Sequence, residues 1–200
     1  MKLLFVSQEN RIGGATRSLI ELICGIKAIQ SIPLEIDLLI PRARKIHRDA
    51  KRYAEASNIS CIEVYYKGNF KNIHSGGDRT LDLINYCSLL PIVHLIREKQ
   101  YDMICSNSIS VDVGARAAEI AKIPHIYYFR EFMEEDFGIE FRNQKKMKRL
   151  IETSEIGIFI SKAVQEKYRK LYSLKNSVQF YDGFAIDKYY VQHHQILQGN

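Results

Sequence analysis

Cysteine is scarce here and poorly spaced for chemistry: Cys24, Cys61, Cys87 and Cys105 are far apart and form no C-x-x-C. That spacing argues against a zinc site and against a redox pair. Cys24 lies on a helical pattern and Cys105 ends an apolar run, so both read as small core residues. Unpaired thiols point to a reducing compartment, the cytosol. Long apolar runs are also missing. None approaches the ~18 residues of a spanning helix. The opening apolar stretch gives way at once to Ser7-Gln8-Glu9-Asn10, and is too short for the centre of a secretory signal. Any membrane contact is expected to be peripheral. No G-x-G-x-x-G and no G-K-[ST] follows the first apolar run. Zinc-finger spacing and RNP-like aromatic motifs are absent and the tyrosines are scattered, so nucleic acid is not an expected partner.

What is present is an ordinary globular composition. The chain has 200 residues, 46% of them hydrophobic, and a formal net charge of +6. That length suits one domain, or one plus a stub, and buries ~70% of the unfolded surface. The basic excess favours phosphate-bearing partners (a nucleotide, a nucleic acid or an anionic membrane) without choosing among them.

Short apolar runs alternate with helical patterns. Strands are expected over residues 3–6, 36–40, 61–65, 102–105, 125–129, 156–160 and 178–181. Helices are expected over 16–30, 46–56, 80–99 with a kink at Pro91, 111–121, 142–152 and 163–171, and a loop over 67–77. Such alternation implies right-handed crossovers and a parallel sheet. The runs 3–6, 126–129 and 156–160 are almost wholly apolar, as strands covered on both faces are. The expected fold is therefore α/β, a doubly wound, mostly parallel, Rossmann-like sheet over residues 1–185. Residues 186–200 then form a linker or the start of a further domain.

Ligands of such sheets sit at the carboxyl ends of the strands. Gly13-Gly14-Ala15 follows the first strand and opens the first helix, where free N–H groups and the helix dipole favour a phosphate. The alternative is a tight turn needing positive φ. Arg130-Glu131-Phe132 follows the strand ending at Phe129, and a charged pair there needs a partner or a ligand. Glu134, Glu135 and Asp136 are near enough in sequence to supply the partner. Asn107 and Ser108 follow another strand and offer hydrogen bonds to sugar hydroxyls or a cap to the next helix. Ser161 is a natural N-cap. Asp182-Gly183 is a turn signal after the last strand. The basic, amphipathic run from Gln144 to Ile151 fits either an anionic membrane surface or a solvated helix face.

In order, these pieces resemble retaining glycosyltransferases of family 4, which have the GT-B fold. The resemblance rests on Met1 to Ser7 with Gly13-Gly14-Ala15-Thr16-Arg17-Ser18-Leu19, on Cys105-Ser106-Asn107-Ser108 and Ile123-Pro124-His125-Ile126, and on Phe129-Arg130-Glu131-Phe132 with the acidic run after it. Ile160-Ser161-Lys162-Ala163-Val164 and Phe180-Tyr181-Asp182-Gly183-Phe184 complete it. It implies the N-terminal, acceptor-side half of an enzyme that moves a sugar from a nucleotide-sugar to an acceptor. That half would be inactive without a second domain. It implies Gly13, Gly14 and Ala15 at the donor diphosphate, and Arg130 at the reaction centre. Asn107, Glu131 and Asp182 fall on the acceptor or substrate side. Many members carry histidine where Arg130 stands; a guanidinium cannot act as a base near neutral pH, so its role would be electrostatic. No metal and no cofactor beyond the donor are implied. The expected setting is cell-surface polysaccharide synthesis on a sugar or lipid-linked acceptor, in the cytoplasm or at the inner membrane face. The alternative is a Rossmann-like binding or interaction module that has no catalysis.

Overall fold

The computed structural model describes residues 1–29, 33–43, 48–73 and 79–183. In chain order the elements are β1 (Lys2–Val6), α1 (Gly14–Ala28), β2 (Glu35–Pro41), α2 (Asp49–Ala56), β3 (Ser60–Val64), β4 (Phe70–Asn72), α3 (Arg79–Cys87) and α4 (Leu89–Lys99). There follow β5 (Met103–Ser106), α5 (Val113–Ala121), β6 (His125–Phe129), α6 (Glu134–Phe137) and β7 (Ile139–Phe141). The last are α7 (Gln144–Thr153), β8 (Ile156–Phe159), α8 (Lys162–Leu171) and β9 (Ser177–Gln179). Seven strands form one parallel sheet in the order β3-β2-β1-β5-β6-β8-β9. The expected Rossmann-like α/β architecture is what forms. The chain winds one way from β1 to β3, then crosses back to place β5 beside β1.

Alternation along β1 explains the two layers. Leu4 and Val6 share a cluster with Ile92, Val93 and Ile96 of α4 and Val113 and Ala117 of α5. Phe5 packs instead with Leu19, Ile20 and Ile23 of α1. Farther along the sheet, Tyr127, Phe129 and Phe159 pack on α7 and α8. Cover on both faces, however, is incomplete for β6 and β8. Their Ile126, Tyr128 and Ile158 line an apolar groove of about 860 Å³ beside α1, with half-buried Cys24 and buried Cys105 among its walls.

Three local expectations need correction. The loop 67–77 contains β4, which pairs antiparallel with β7 in a small ribbon. The long helix 80–99 is two helices broken at Ser88, whose hydroxyl donates to the carbonyls of Ile84 (2.7 Å) and Tyr65. Pro91 falls in the first turn of α4, where its missing N–H costs no helical bond. The basic helix α7 buries Met147, Leu150 and Ile151 in the core, so its apolar face is taken and only its polar face meets solvent. There Lys146 pairs with Asp112, Lys148 with Glu152 and Arg149 with Glu119. The expected helix ends at residues 30 and 46, part of the loop to 77, and the stretch 186–200 lie outside the described residues. No helix among the described residues is long and apolar enough to cross a membrane.

Buried His125 bridges two elements, its ring nitrogens 2.9 Å from Ser106 Oγ and from Ser154 Oγ. Burial pushes its pKa from 6.5 down to about 3. The unfolded chain therefore takes up a proton below pH 6.5 that the folded chain refuses. Stability should fall by about 2 kcal/mol between pH 6.5 and 5 from this residue alone. Urea denaturation across that range checks it: His125→Asn should show a slope shallower by that amount.

Candidate functional site

The direction of winding reverses between β1 and β5, and there the carboxyl ends of two strands diverge. Asn107 stands at this point, wholly buried, its N–H bonded to Val6 O (2.9 Å). Its side chain ties three segments together. Nδ2 donates to Ala15 O in α1 (3.1 Å) and to Gln8 Oε1 (3.2 Å), and Oδ1 accepts from Arg130 Nε (2.7 Å). The structure thus brings the glycine pair and the loop after β6 to one place. Asn107 does not cap α5; that position belongs to Asp112, which makes no capping bond.

The two glycines are not a positive-φ turn. Gly13 is the N-cap of α1 with φ −105°. A Cβ on Gly13 would come within 2.8 Å of Glu9 Oε1, so a carboxylate stands beside the start of α1; a Cβ on Gly14 would meet nothing within 4 Å. A larger side chain there would fill the space an anion needs without disturbing the fold. Gly14→Val should therefore leave the melting temperature nearly unchanged and abolish anion binding at the helix start; calorimetric titration beside a thermal melt checks both.

Arg130 is buried, with only 4% of its side chain exposed, and belongs to the interior rather than the domain's edge. It does not pair with the acidic run after it. Its Nη1 donates to Asp182 Oδ2 (2.7 Å), and its guanidinium lies 4.3 Å from the Tyr128 ring centroid. Asp182 is therefore an ion-pair partner, and residues 180–183 form no turn. Of the acidic residues expected as Arg130's partners, Glu135 pairs with Lys167 and Asp136 accepts from the Phe132 N–H.

Glu131 turns the other way. Ser108 Oγ donates to its carboxylate, and Ser108 and Ser110 hydroxyls lie 2.6 Å apart. Burial raises the Glu131 pKa to about 7, although Ser108 and Arg130 oppose the shift. Ionisation is thus harder in the folded state, and stability should fall as pH rises from 4.5 through 7. Glu131→Gln should gain on the order of 2 kcal/mol over wild type at pH 8 and little at pH 5; thermal melts at the two pH values decide it. Such a carboxyl can hold or release a proton near neutrality. The backbone just beyond is unusual: buried Met133 has φ 53° and ψ −76°, and strain of that kind collects at functional loops.

All the expected site residues thus lie at the carboxyl edge of the sheet, but in a changed arrangement. Ala15, which follows Gly13 and Gly14, is linked through Asn107 to Arg130 and Asp182. Glu131 and Ser108 form a second group beside them, with Ser110, which no motif marked. Ser161 caps α8 as expected, accepting from the Val164 N–H. Among the described residues no three His, Cys, Asp or Glu stand together as metal ligands.

No known family and no curated protein matches the sequence. Solved structures do resemble the fold. HepE of Anabaena, in complex with UDP and glucose, is similar over 99% of this chain and 50% of its own, with a TM-score of 0.66 and 20% identity. The lipopolysaccharide outer core galactosyltransferase WaaB is similar over 89% and 45%, with a TM-score of 0.62 and 11% identity. UDP-GlcNAc 2-epimerase of Neisseria meningitidis, bound to UDP-GlcNAc, is similar over 89% and 46%, with a TM-score of 0.58 and 14% identity. At these identities the likeness is one of fold: a Rossmann-like domain of the kind that makes one half of a GT-B protein. The chain spans about half the length of these structures.

Proposed function

We propose that the chain is the N-terminal, acceptor-side domain of a retaining glycosyltransferase of family 4. In this reading it helps to move a sugar from a nucleotide-sugar to an acceptor in cell-surface polysaccharide synthesis. The observation that carries the reading is Asn107, which joins Ala15 in the first turn of α1 to Arg130, and through Arg130 to Asp182, at the point where the sheet's winding reverses. The neighbours' bound UDP, glucose and UDP-GlcNAc support a nucleotide-sugar donor. Gly13, Gly14 and Ala15 would receive the donor diphosphate at the helix start. Glu131, with Ser108, would face acceptor hydroxyls, and Asp182 would hold the guanidinium in place. Arg130 would act through fixed charge alone. A lipid-linked acceptor would bring the domain to the inner face of the membrane.

A cleft between two halves cannot work with one half. The 200-residue chain alone should bind nucleotide-sugars weakly and transfer none. The test is saturation-transfer NMR with a panel of nucleotide-sugars, beside a transfer assay. Failure to bind any donor at millimolar concentration contradicts the reading. Turnover by the chain alone at ~1 per second or more, the ordinary range of enzymes, contradicts the need for a second half.

A further inference from the structure

We propose that the outer face of α3 and of the first turn of α4 is a membrane-docking surface, which seats the domain on the bilayer that carries its acceptor. The inference rests on the lipid-linked acceptor reading above and gives that acceptor a side of the molecule.

No residue from Leu83 to Val93 is charged. Asn85, Ser88, Leu89, Ile92 and Val93 are buried and take the core side of the two helices. Turned outward are Leu83 (64% exposed), Tyr86 (64%) and Leu90 (77%), with exposed Cys87 and Pro91 between and beside them. Their spacing of three and four residues puts them on one face. Helical bonds run through the break, from Ser88 N–H to Ile84 O (3.0 Å) and from Ile92 N–H to Ser88 O (3.3 Å), so the face continues from α3 into α4. Exposed apolar side chains standing singly are ordinary, but an unbroken row of large ones marks an interface.

The surroundings of the row suit a lipid surface. At such a surface leucines enter the acyl layer, tyrosine rings sit among the head groups, and basic side chains reach the phosphates. Tyr65, half exposed, stands beside the row because Ser88 donates to its carbonyl, and Lys67 Nζ lies 5.7 Å from its ring centroid. At the other end, exposed Arg97 lies seven residues past Leu90 on the same face, with His94 between them 3.7 Å from Glu98. The acid at the start of the row, Asp82, is paired with Arg142 (3.2 Å). The basic helix α7 cannot take this part, since its apolar face is already in the core.

The row is also tied to the acceptor side of the candidate site. Asn85 grips the backbone of Lys67 twice, accepting from its N–H (2.8 Å) and donating to its carbonyl (2.9 Å). Two residues on, Asn69 N–H donates to Ser110 O (2.6 Å), and Ser110 meets Ser108, which donates to Glu131. The stretch 65–69, at the carboxyl end of β3, thus joins the exposed row to the group that would face acceptor hydroxyls. An acceptor held in the bilayer by its lipid would meet the domain on that side.

Vesicles of phosphatidylcholine and phosphatidylglycerol, floated on a density gradient with the 200-residue chain, test the proposal. The chain should rise with them. Leu83→Ser combined with Leu90→Ser should weaken partitioning about tenfold or more, as the loss of two leucines from an apolar contact implies. Its melting temperature should not change, because both side chains are exposed. Lys145→Ala with Lys148→Ala, on α7, should matter far less. The chain contains no tryptophan, so Tyr86→Trp supplies a single fluorophore. Its emission should shift to the blue with vesicles and be quenched by brominated lipid. Tyr181→Trp, exposed beyond β9 at the opposite edge of the sheet from β3, should do neither. No partitioning, equal partitioning of the leucine variant, or an unshifted Tyr86→Trp emission overturns the proposal. A lipid-free dimer that the leucine variant dissolves gives the face to a second copy and also overturns it. The two readings fail separately. Vesicle binding through Leu83 and Leu90 without binding of any nucleotide-sugar would keep the membrane face and remove the transferase. Nucleotide-sugar binding without vesicle binding would do the reverse.

Discussion

Arg130→Met is expected to destabilise the domain by on the order of 3 kcal/mol, as truncating one member of a buried pair does. Three losses combine. Asn107, wholly buried, loses the donor to its Oδ1. Asp182, with a quarter of its side chain exposed, loses its partner and rehydrates only in part. The Tyr128 ring loses the cation beside it. Asp182→Asn should cost much less, because it leaves the guanidinium its bond to Asn107 and a neutral acceptor in place of the acid. Urea denaturation of both variants checks the order. Equal and small effects would make Arg130 a surface ion pair rather than a buried one.

Gly114→Val should cost about 3 kcal/mol or more, the upper range for overpacking a well-filled core. Gly114 is in α5, where the helix lies closest to the sheet. A Cβ there would come within 2.4 Å of Ser106 Oγ and 3.1 Å of Val6 Cγ2. Ser106 cannot simply turn away, because its hydroxyl pairs with buried His125. Displacing it also disturbs the residue before Asn107, and so the candidate site. Gly114→Ala should already be harmful despite its better helix propensity, worth about 1 kcal/mol. Gly14→Ala, in open space at the start of α1, should be neutral or mildly stabilising. Thermal melts of the three variants separate packing from backbone preference.

The same residues show what the sequence could disclose. Parallel strands covered on both faces are apolar runs, so β1 was plain; β6 and β8 read the same way because one face packs on α7 and α8 and the other lines an apolar groove. The helix over 111–121 was legible as rich in small residues, and its Gly114, Ala117 and Ala118 are what let it lie close to β5. The ribbon of β4 and β7 was not legible: each strand has three residues, and pairing between Phe70 and Phe141 leaves no local period. The break at Ser88 depends on the carbonyl of Tyr65, far away in sequence. At the site, the rule of strand ends found Asn107, Arg130 and Asp182. Their partnerships span 23 and 52 residues, and the link from Asn107 to Ala15 spans 92, distances at which nearby charges such as Glu134 look like the better match. Ser110 carried no signal beyond lying near a strand end.

Backbone amide shifts of the 200-residue chain, followed by NMR during titration with UDP-glucose, test the central claim most directly. The claim is that a nucleotide-sugar sits where β1 and β5 diverge. Gly14, Ala15, Asn107 and Arg130 should shift together along one saturating curve, and Gly14→Val should erase that curve without unfolding the protein. If those four amides stay fixed at millimolar ligand, or the shifts gather elsewhere on the domain, the proposed site is wrong.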